Sequence, residues 1–205
     1  MHIFGTTNVS LGPTDTTTPL TSAVHGLPKS TPSLQLRHFV QDDALAAMAL
    51  NAERSTRQWL PSHVYATAAD AQSRLKYLIS SYKEPGHPQL GPYVLAVTEA
   101  STFRLLGHVG FSPLDNEVEV SYAIAENARG RGYGVESLAC ACDWIAIAFS
   151  VSSVVAITAV ENIPSRRTLE RAAFAHVQDE VMLLQRVRHA VSRYCWHAPT
   201  QRSGA

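Results

Sequence analysis

Between Glu126 and Leu138 the chain reads ENARGRGYGVESL, with three glycines and two arginines directly before a run of helical periodicity. Free amides at a helix start can wrap anionic oxygens, and glycines let a ligand approach the backbone and permit positive φ. Arg129 and Arg131 add charge, so phosphate binding is one chemistry this stretch could serve; a plain strand-to-helix turn is the other. Two phosphate loops are excluded by spacing. In a dinucleotide fingerprint the third glycine would come one residue later and an acid would follow about 20 residues on. A nucleotide triphosphate loop needs Gly-Lys-Ser/Thr, which the chain lacks. There is no Cys-x-x-Cys or His-Glu-x-x-His, so no metal is expected.

The elements that must position this loop can be read on both sides of it. LQLRHF (34–39) alternates as a first strand, and QDDALAAMALNAE (41–53) reads as a helix with acids in its first turn, which suits the helix dipole. STRQWLPSHVYAT interrupts with no periodicity, and 68–84 reads as a second amphipathic helix stopped by Pro85-Gly86. YVLAVTE and RLLGHVGFSPL form a predicted hairpin, followed by NEVEVSYAI (116–124) with strict alternation. That alternation puts Val118, Val120, Tyr122 and Ile124 on one face and Glu117, Glu119, Ser121 and Ala123 on the other. Apolar residues at 135, 138, 139, 142, 145, 146 and 149 predict a helix after the glycines. SVVAITAV (153–160) has buried-strand character. NIPSRRTLERAAF is a short helix with Asn162 as cap and Pro164 in its first turn. Two strands near 181–188 and 191–197 close the chain.

With 205 residues, 45% of them hydrophobic, one domain with a full core is expected. Seventeen basic against seventeen acidic residues give no pull toward nucleic acid or an anionic membrane. The start has neither a basic nor an apolar signal region and no apolar run approaches membrane-spanning length, so a cytoplasmic protein is expected. Residues 1–33 are rich in Thr, Ser, Pro and Gly and read as a flexible tail, 34–199 as the domain and 200–205 as a second tail. Cys140 and Cys142, two apart on one helix, point to different sides and read as buried, reduced cysteines.

R-x-x-G-x-G at Arg129, Gly132 and Gly134 resembles the pyrophosphate motif of the GNAT (general N-acetyltransferase) superfamily. VEVSYAIAENARGRGYGVESL looks like that family's strand, loop and helix, and ENIPSRRTLERAAF resembles its downstream Asn-x-x-Ser helix. RQWLPSHVYATAADAQSRLKYLI is similar to the Trp-Leu-Pro segment of the ribosomal-protein N-terminal acetyltransferase (RimJ/RimL-like) branch. Together the matches cover about 34–197. One departure is Ala173-Phe174, where the family has Gly-Phe; an alanine there should cost about 1 kcal/mol or shift the turn.

The resemblance implies an α/β (α+β) fold, with a mixed, largely antiparallel sheet of about seven strands splayed between the fourth and fifth and flanked by about four helices. It implies acetyl-CoA as co-substrate and an amine acceptor, either a protein N-terminus or a small molecule, attacked directly in a ternary complex. The loop residues Arg129, Gly130, Arg131, Gly132, Tyr133, Gly134 and Val135 would hold the pyrophosphate. Backbone at Tyr122, Ala123 and Ile124 would pair with the pantetheine, and Asn162 would bind its amides. Glu119 would draw the ammonium and take its proton through a water, and Ser165 would give the departing thiolate a proton or a hydrogen bond; the alternatives are a solvated strand carboxylate and a helix cap. Trp59, His63 and Tyr65 would line the acceptor pocket. For Tyr122 and His108 side chains, core packing is the simpler role. A homodimer is a further implication, through the C-terminal strands, and a non-catalytic acyl-CoA sensor is the competing reading.

Overall fold

The computed structural model describes residues 26–82, 86–184 and 187–199. Its single seven-stranded sheet has the order β1-β2-β3-β4-β5-β7-β6, with every neighbouring pair antiparallel except the parallel β4 and β5. The strands are β1 Leu34–His38, β2 Tyr93–Glu99, β3 Leu105–Leu114, β4 Glu117–Ile124, β5 Ser153–Ala159, β6 Ala175–Leu184 and β7 Val187–His197. The helices are α1 Ala44–Ala52, α2 Arg54–Trp59, α3 Ala68–Ser81, α4 Tyr133–Phe149 and α5 Ile163–Arg171.

Alternation sends the buried residues of the central strands to two cores, one on each face of the sheet. The larger core takes Leu95, Val97, Val109, Phe111, Val118, Val120 and Ile124 from the sheet and Leu138, Ala141, Cys142 and Ile145 from α4. A side chain of the Leu138 or Ile145 kind contributes about 1.5–3 kcal/mol when fully buried. The smaller core packs Phe39, Ala47, Ala71, Leu75 and Leu78 on Val94 and Ala96 of the opposite face. The expected division of β4 holds, since Val109 pairs with Tyr122 and Phe111 with Val120, while Gly110 pairs with Ser121 and Ser112 with Glu119.

Several boundaries differ from the sequence reading for local reasons. The aperiodic stretch after α1 holds α2, a six-residue helix, and then a 3-10 turn over Pro61–His63; pieces this short carry no period. Asp43, expected to act on the helix dipole, instead forks to the guanidinium of Arg37 at 2.7 and 2.8 Å and accepts the Val40 amide at 2.9 Å. Helix α3 begins at a reciprocal cap, where Thr67 Oγ1 accepts from Asp70 N and Asp70 Oδ2 accepts from Thr67 N. It closes at Ser81, and the expected stop at Pro85 lies outside the described residues, as do residues 1–25 and 200–205. β6 begins six residues before its expected start, because its first half, AHVQDE, is mostly exposed and reads as polar.

The described part of the Thr/Ser/Pro-rich leader runs along α4. The Gly26 carbonyl accepts from Trp144 Nε1 at 2.5 Å, the Lys29 carbonyl accepts from the Cys140 thiol at 3.3 Å, and Thr31 Oγ1 bonds Glu136. Of the cysteines, Cys142 is buried and Cys140 and Cys195 are half-buried; all three are reduced.

Candidate active site

β4 and β5 touch through a single pairing, Glu119 with Val155. Beyond it, toward Ile124, no further β4–β5 pairing forms among the described residues, so a wedge opens whose apex is Glu119. The mouth of the wedge is faced by the start of α4 and the start of α5.

At the start of α4, Gly130 (φ 76°) and Gly132 (φ 84°) take left-handed conformations. A Cβ on either would meet nothing within 4 Å, so bare backbone faces open space. The first intrahelical bond is made by Glu136 N to the Gly132 carbonyl at 3.0 Å, and no side chain caps the helix. The amides of Tyr133, Gly134 and Val135 therefore precede the first intrahelical partner, at the positive end of a 17-residue helix. This suits the pyrophosphate expected from the sequence. Two members of the motif have other duties. Gly134 lies within the helix and is not left-handed; its Cβ would fall 3.2 Å from Thr168 Cγ2 and 3.6 Å from Tyr122 Cε2, so it is glycine for helix packing. Arg129 turns back, donating through Nε to the Ile124 carbonyl at 2.7 Å and through Nη2 to Glu53 at 3.2 Å. Arg131 is exposed.

At the start of α5, Asn162 Oδ1 accepts the Ser165 amide at 3.3 Å and caps the helix, which leaves its NH2 group as a donor. The Ser165 hydroxyl lies 3.1 Å from Tyr122 Oη. Burial raises the Tyr122 phenol above its ordinary range, and its hydrogen bonds to Ser165 and Thr168 oppose that shift. Tyr122 thus packs in the core as expected and also reaches Ser165, a pairing with no signature in the sequence. The α5 helix ends in a paired cap: Ala173 N bonds Glu170 O at 3.2 Å and Phe174 N bonds Leu169 O at 3.0 Å. Ala173 takes the left-handed turn itself, at φ 65°, so the backbone keeps its course and the alanine bears the strain.

Glu119 is 4% exposed and lies on the α1–α3 side of the sheet. That side holds a cavity of about 270 Å³ whose polar lining is Asn51, Ser62, His63, Tyr65, Arg74 and His108, with Phe39, Leu78 and Val94 as apolar wall. Of the residues expected to line an acceptor pocket, His63 and Tyr65 line this cavity, and Trp59, the last residue of α2, is not on its wall. His63 stacks on His108 with centroids 5.3 Å apart. Burial lowers the His63 imidazole to about 4, helped by the nearby Arg74 charge, and lowers His108 to about 3. Both rings are neutral at pH 7. His108 Nε2, Asn51 Oδ1 and Ser62 Oγ are buried without a hydrogen-bond partner among the described residues. Asn51, Ser62, Arg74 and His108 come from four separate elements, so no spacing in the sequence could announce them.

Residues 33–175 match the model of the acetyltransferase (GNAT) domain family. No curated protein sequence matches the chain. Among solved structures, it is similar to the ribosomal-protein-S5-alanine acetyltransferase of Vibrio fischeri, with 15% identity and TM-score 0.72 over 85% of this chain and 98% of that one. It is similar to RimL, a ribosomal L7/L12 alpha-N-protein acetyltransferase in complex with coenzyme A, with 16% identity and TM-score 0.70 over 84% and 98%. It is also similar to the microcin C7 self-immunity acetyltransferase in complex with acetyl-CoA and AMP, with 15% identity and TM-score 0.67 over 82% and 93%. At these identities the likeness is one of fold.

Proposed function

The chain belongs to the acetyltransferase (GNAT) domain family, and we propose that it transfers an acetyl group from acetyl-CoA to the α-amine of a polypeptide. The observation that carries this is the wedge, with a glycine loop at its mouth and a buried carboxylate at its apex. Acetyl-CoA supplies the activated acyl group as a thioester.

In this reading the amides of Tyr133, Gly134 and Val135 hold the pyrophosphate, with Arg131 adding charge from solvent. The β4 backbone at Tyr122 and Ala123 aligns the pantetheine, the Ile124 carbonyl being already engaged by Arg129. The Asn162 NH2 serves a pantetheine carbonyl while its oxygen caps α5. A β4 amide aimed into the wedge polarises the acyl carbonyl, as an oxyanion hole does. Glu119 attracts the ammonium and accepts its proton through a water. Deprotonation at pH 7 costs about 1 kcal/mol for an α-amine of pKa near 8, against about 4.6 kcal/mol for a lysine near 10.4. A single carboxylate at the apex is therefore sufficient help for an α-amine. The Ser165 hydroxyl, 3.1 Å from the Tyr122 phenol, donates a hydrogen bond to the departing thiolate until solvent protonates it.

The test is release of free thiol from acetyl-CoA with peptides bearing a free α-amine, Nα-blocked peptides bearing lysine, and small amines. Thiol release with the free-α-amine peptides alone is expected. Acetyl-CoA affinity should be lost in Gly132→Glu, whose side chain enters the open space before α4. Turnover only of lysine or small amines would overturn the acceptor assignment, and tight acetyl-CoA binding without any turnover would make the protein a sensor.

A further inference from the structure

The turn that leads into the glycine loop is held by a residue from the joint of two helices. Glu53 alone separates α1 from α2, in an extended conformation at φ −60° and ψ 146°. It makes no side-chain cap to α2, so its carboxylate is available to another element. Oε1 and Oε2 accept the Glu126 amide at 3.1 and 3.0 Å, and Oε2 also accepts from Arg129 Nη2 at 3.2 Å. Glu126 opens the 3-10 turn Glu126–Ala128 and Arg129 closes it. The first amide of such a turn has no partner within it, and Glu53 supplies one from 73 residues away. Arg129 Nε donates to the Ile124 carbonyl at 2.7 Å, and Ser55 Oγ donates to Glu126 Oε1 at 3.2 Å. One carboxylate thereby ties both ends of the turn to the α1–α2 joint.

Directly after Arg129 come the left-handed Gly130 and Gly132, then the amides of Tyr133, Gly134 and Val135. Glycines lose the most conformational freedom on being ordered, and a loop ordered in advance binds its ligand more tightly. Such a loop keeps its course when the chain on both sides of it is fixed. Helix α4 fixes one side, and the Glu53–Arg129 cluster fixes the other.

The fold itself gains little from this carboxylate. Burial raises the Glu53 pKa and the Glu126 charge adds to the shift, while the Glu126 amide and Arg129 oppose it. A carboxyl whose folded pKa lies above its unfolded value loses stability as pH rises through that range, so at pH 7 its ionised form is a net cost. The Arg129 side chain is 41% exposed, and an ion pair so open to solvent is worth little by itself. What Glu53 contributes is placement.

We infer that Glu53 is a positioning residue for the coenzyme: through the Glu126 amide and the Arg129 guanidinium it sets the incoming end of the phosphate loop. The assignment rests on the acetyl-transfer reading above. It also gives the motif arginine its role, which is to order the loop from outside it.

The experiment compares the full chain with Glu53→Gln, Arg129→Gln and the double variant. Acetyl-CoA affinity is read by calorimetry, kcat and both KM values with a free-α-amine peptide, and stability by the chemical-denaturation midpoint. In Glu53→Gln, Kd and KM for acetyl-CoA should rise about tenfold. Peptide KM and kcat should stay within about twofold, and the midpoint should be unchanged or higher. Arg129→Gln should weaken acetyl-CoA in the same direction, and the double variant should be no weaker than the weaker single one, because the two residues act as a unit. Arg129→Lys, which keeps the charge without the planar fork, serves if either glutamine variant does not fold. An acetyl-CoA affinity unmoved by Glu53→Gln, effects of the two substitutions that multiply, or a rise of both KM values with a lowered midpoint overturns this inference and leaves the acetyl-transfer reading standing. If the wild type binds acetyl-CoA without turnover, the transfer reading falls and the affinities alone decide the role of Glu53. A folded wild type that binds no acetyl-CoA overturns both.

Discussion

In the proposed reading, the two faces of the sheet serve recognition in opposite ways. On the α4–α5 face the ligand-facing groups are backbone: left-handed glycines and first-turn amides, backed by a dry core of Leu138, Ile145 and Phe111. On the α1–α3 face they are side chains gathered from distant elements around a polar cavity. A pyrophosphate is the same in every coenzyme molecule, so a backbone cradle suffices for it. An acceptor varies, and side chains can change one at a time without disturbing the chain path.

The sharpest way to break this division is Glu119→Gln. If the faces are separate in their duties, kcat/KM should fall by about 10²-fold at pH 7 while acetyl-CoA affinity by calorimetry stays within about twofold. Because an α-amine near pKa 8 deprotonates unaided in mild alkali, the deficit should shrink as pH rises through 8. A parallel loss of acetyl-CoA affinity would show that the two faces are not separable.

A second test concerns acid. His108 is held near 3 in the folded protein against about 6.5 unfolded. Its neutrality therefore contributes stability above pH 6.5 that is lost as pH falls toward 3, at up to about 1.4 kcal/mol per pH unit. His108→Gln should flatten the decline of chemical-denaturation stability between pH 6.5 and 4. An unchanged slope would mean that the acceptor face carries no such penalty. The smallest effect is expected on the other face: Ala173→Gly relieves a left-handed alanine and should raise stability by about 1 kcal/mol, read as a shift in denaturation midpoint, with turnover unaltered.

The same contrast explains what could be read in advance. The strands from Tyr93 to Ile124, helix α4 and the glycine loop are each local patterns, and all three stand where their periodicity and spacing put them. The left-handed turn after α5 was legible too, but not that Ala173 itself would hold it. What escaped was short or assembled: α2 is too brief to show a period, β6 begins in polar residues, and the segment from Gly26 to Ser33 gains order from α4 rather than from its own composition. Asn51, Ser62 and Arg74 meet His108 only because α1 and α3 pack on β2 and β3. Tertiary packing brings that set together, and no window of sequence contains it.

The single rung between β4 and β5 also bears on how the chain behaves in company. Beyond Glu119–Val155 no further β4–β5 pairing forms among the described residues, which leaves two strand edges side by side, and a strand edge is a template on which another chain could add a strand and aggregate. Because these edges converge toward Glu119 and face each other in the middle of the sheet, only a narrow guest can reach them. The fold thereby keeps an adhesive surface in its interior and withholds it from its own copies.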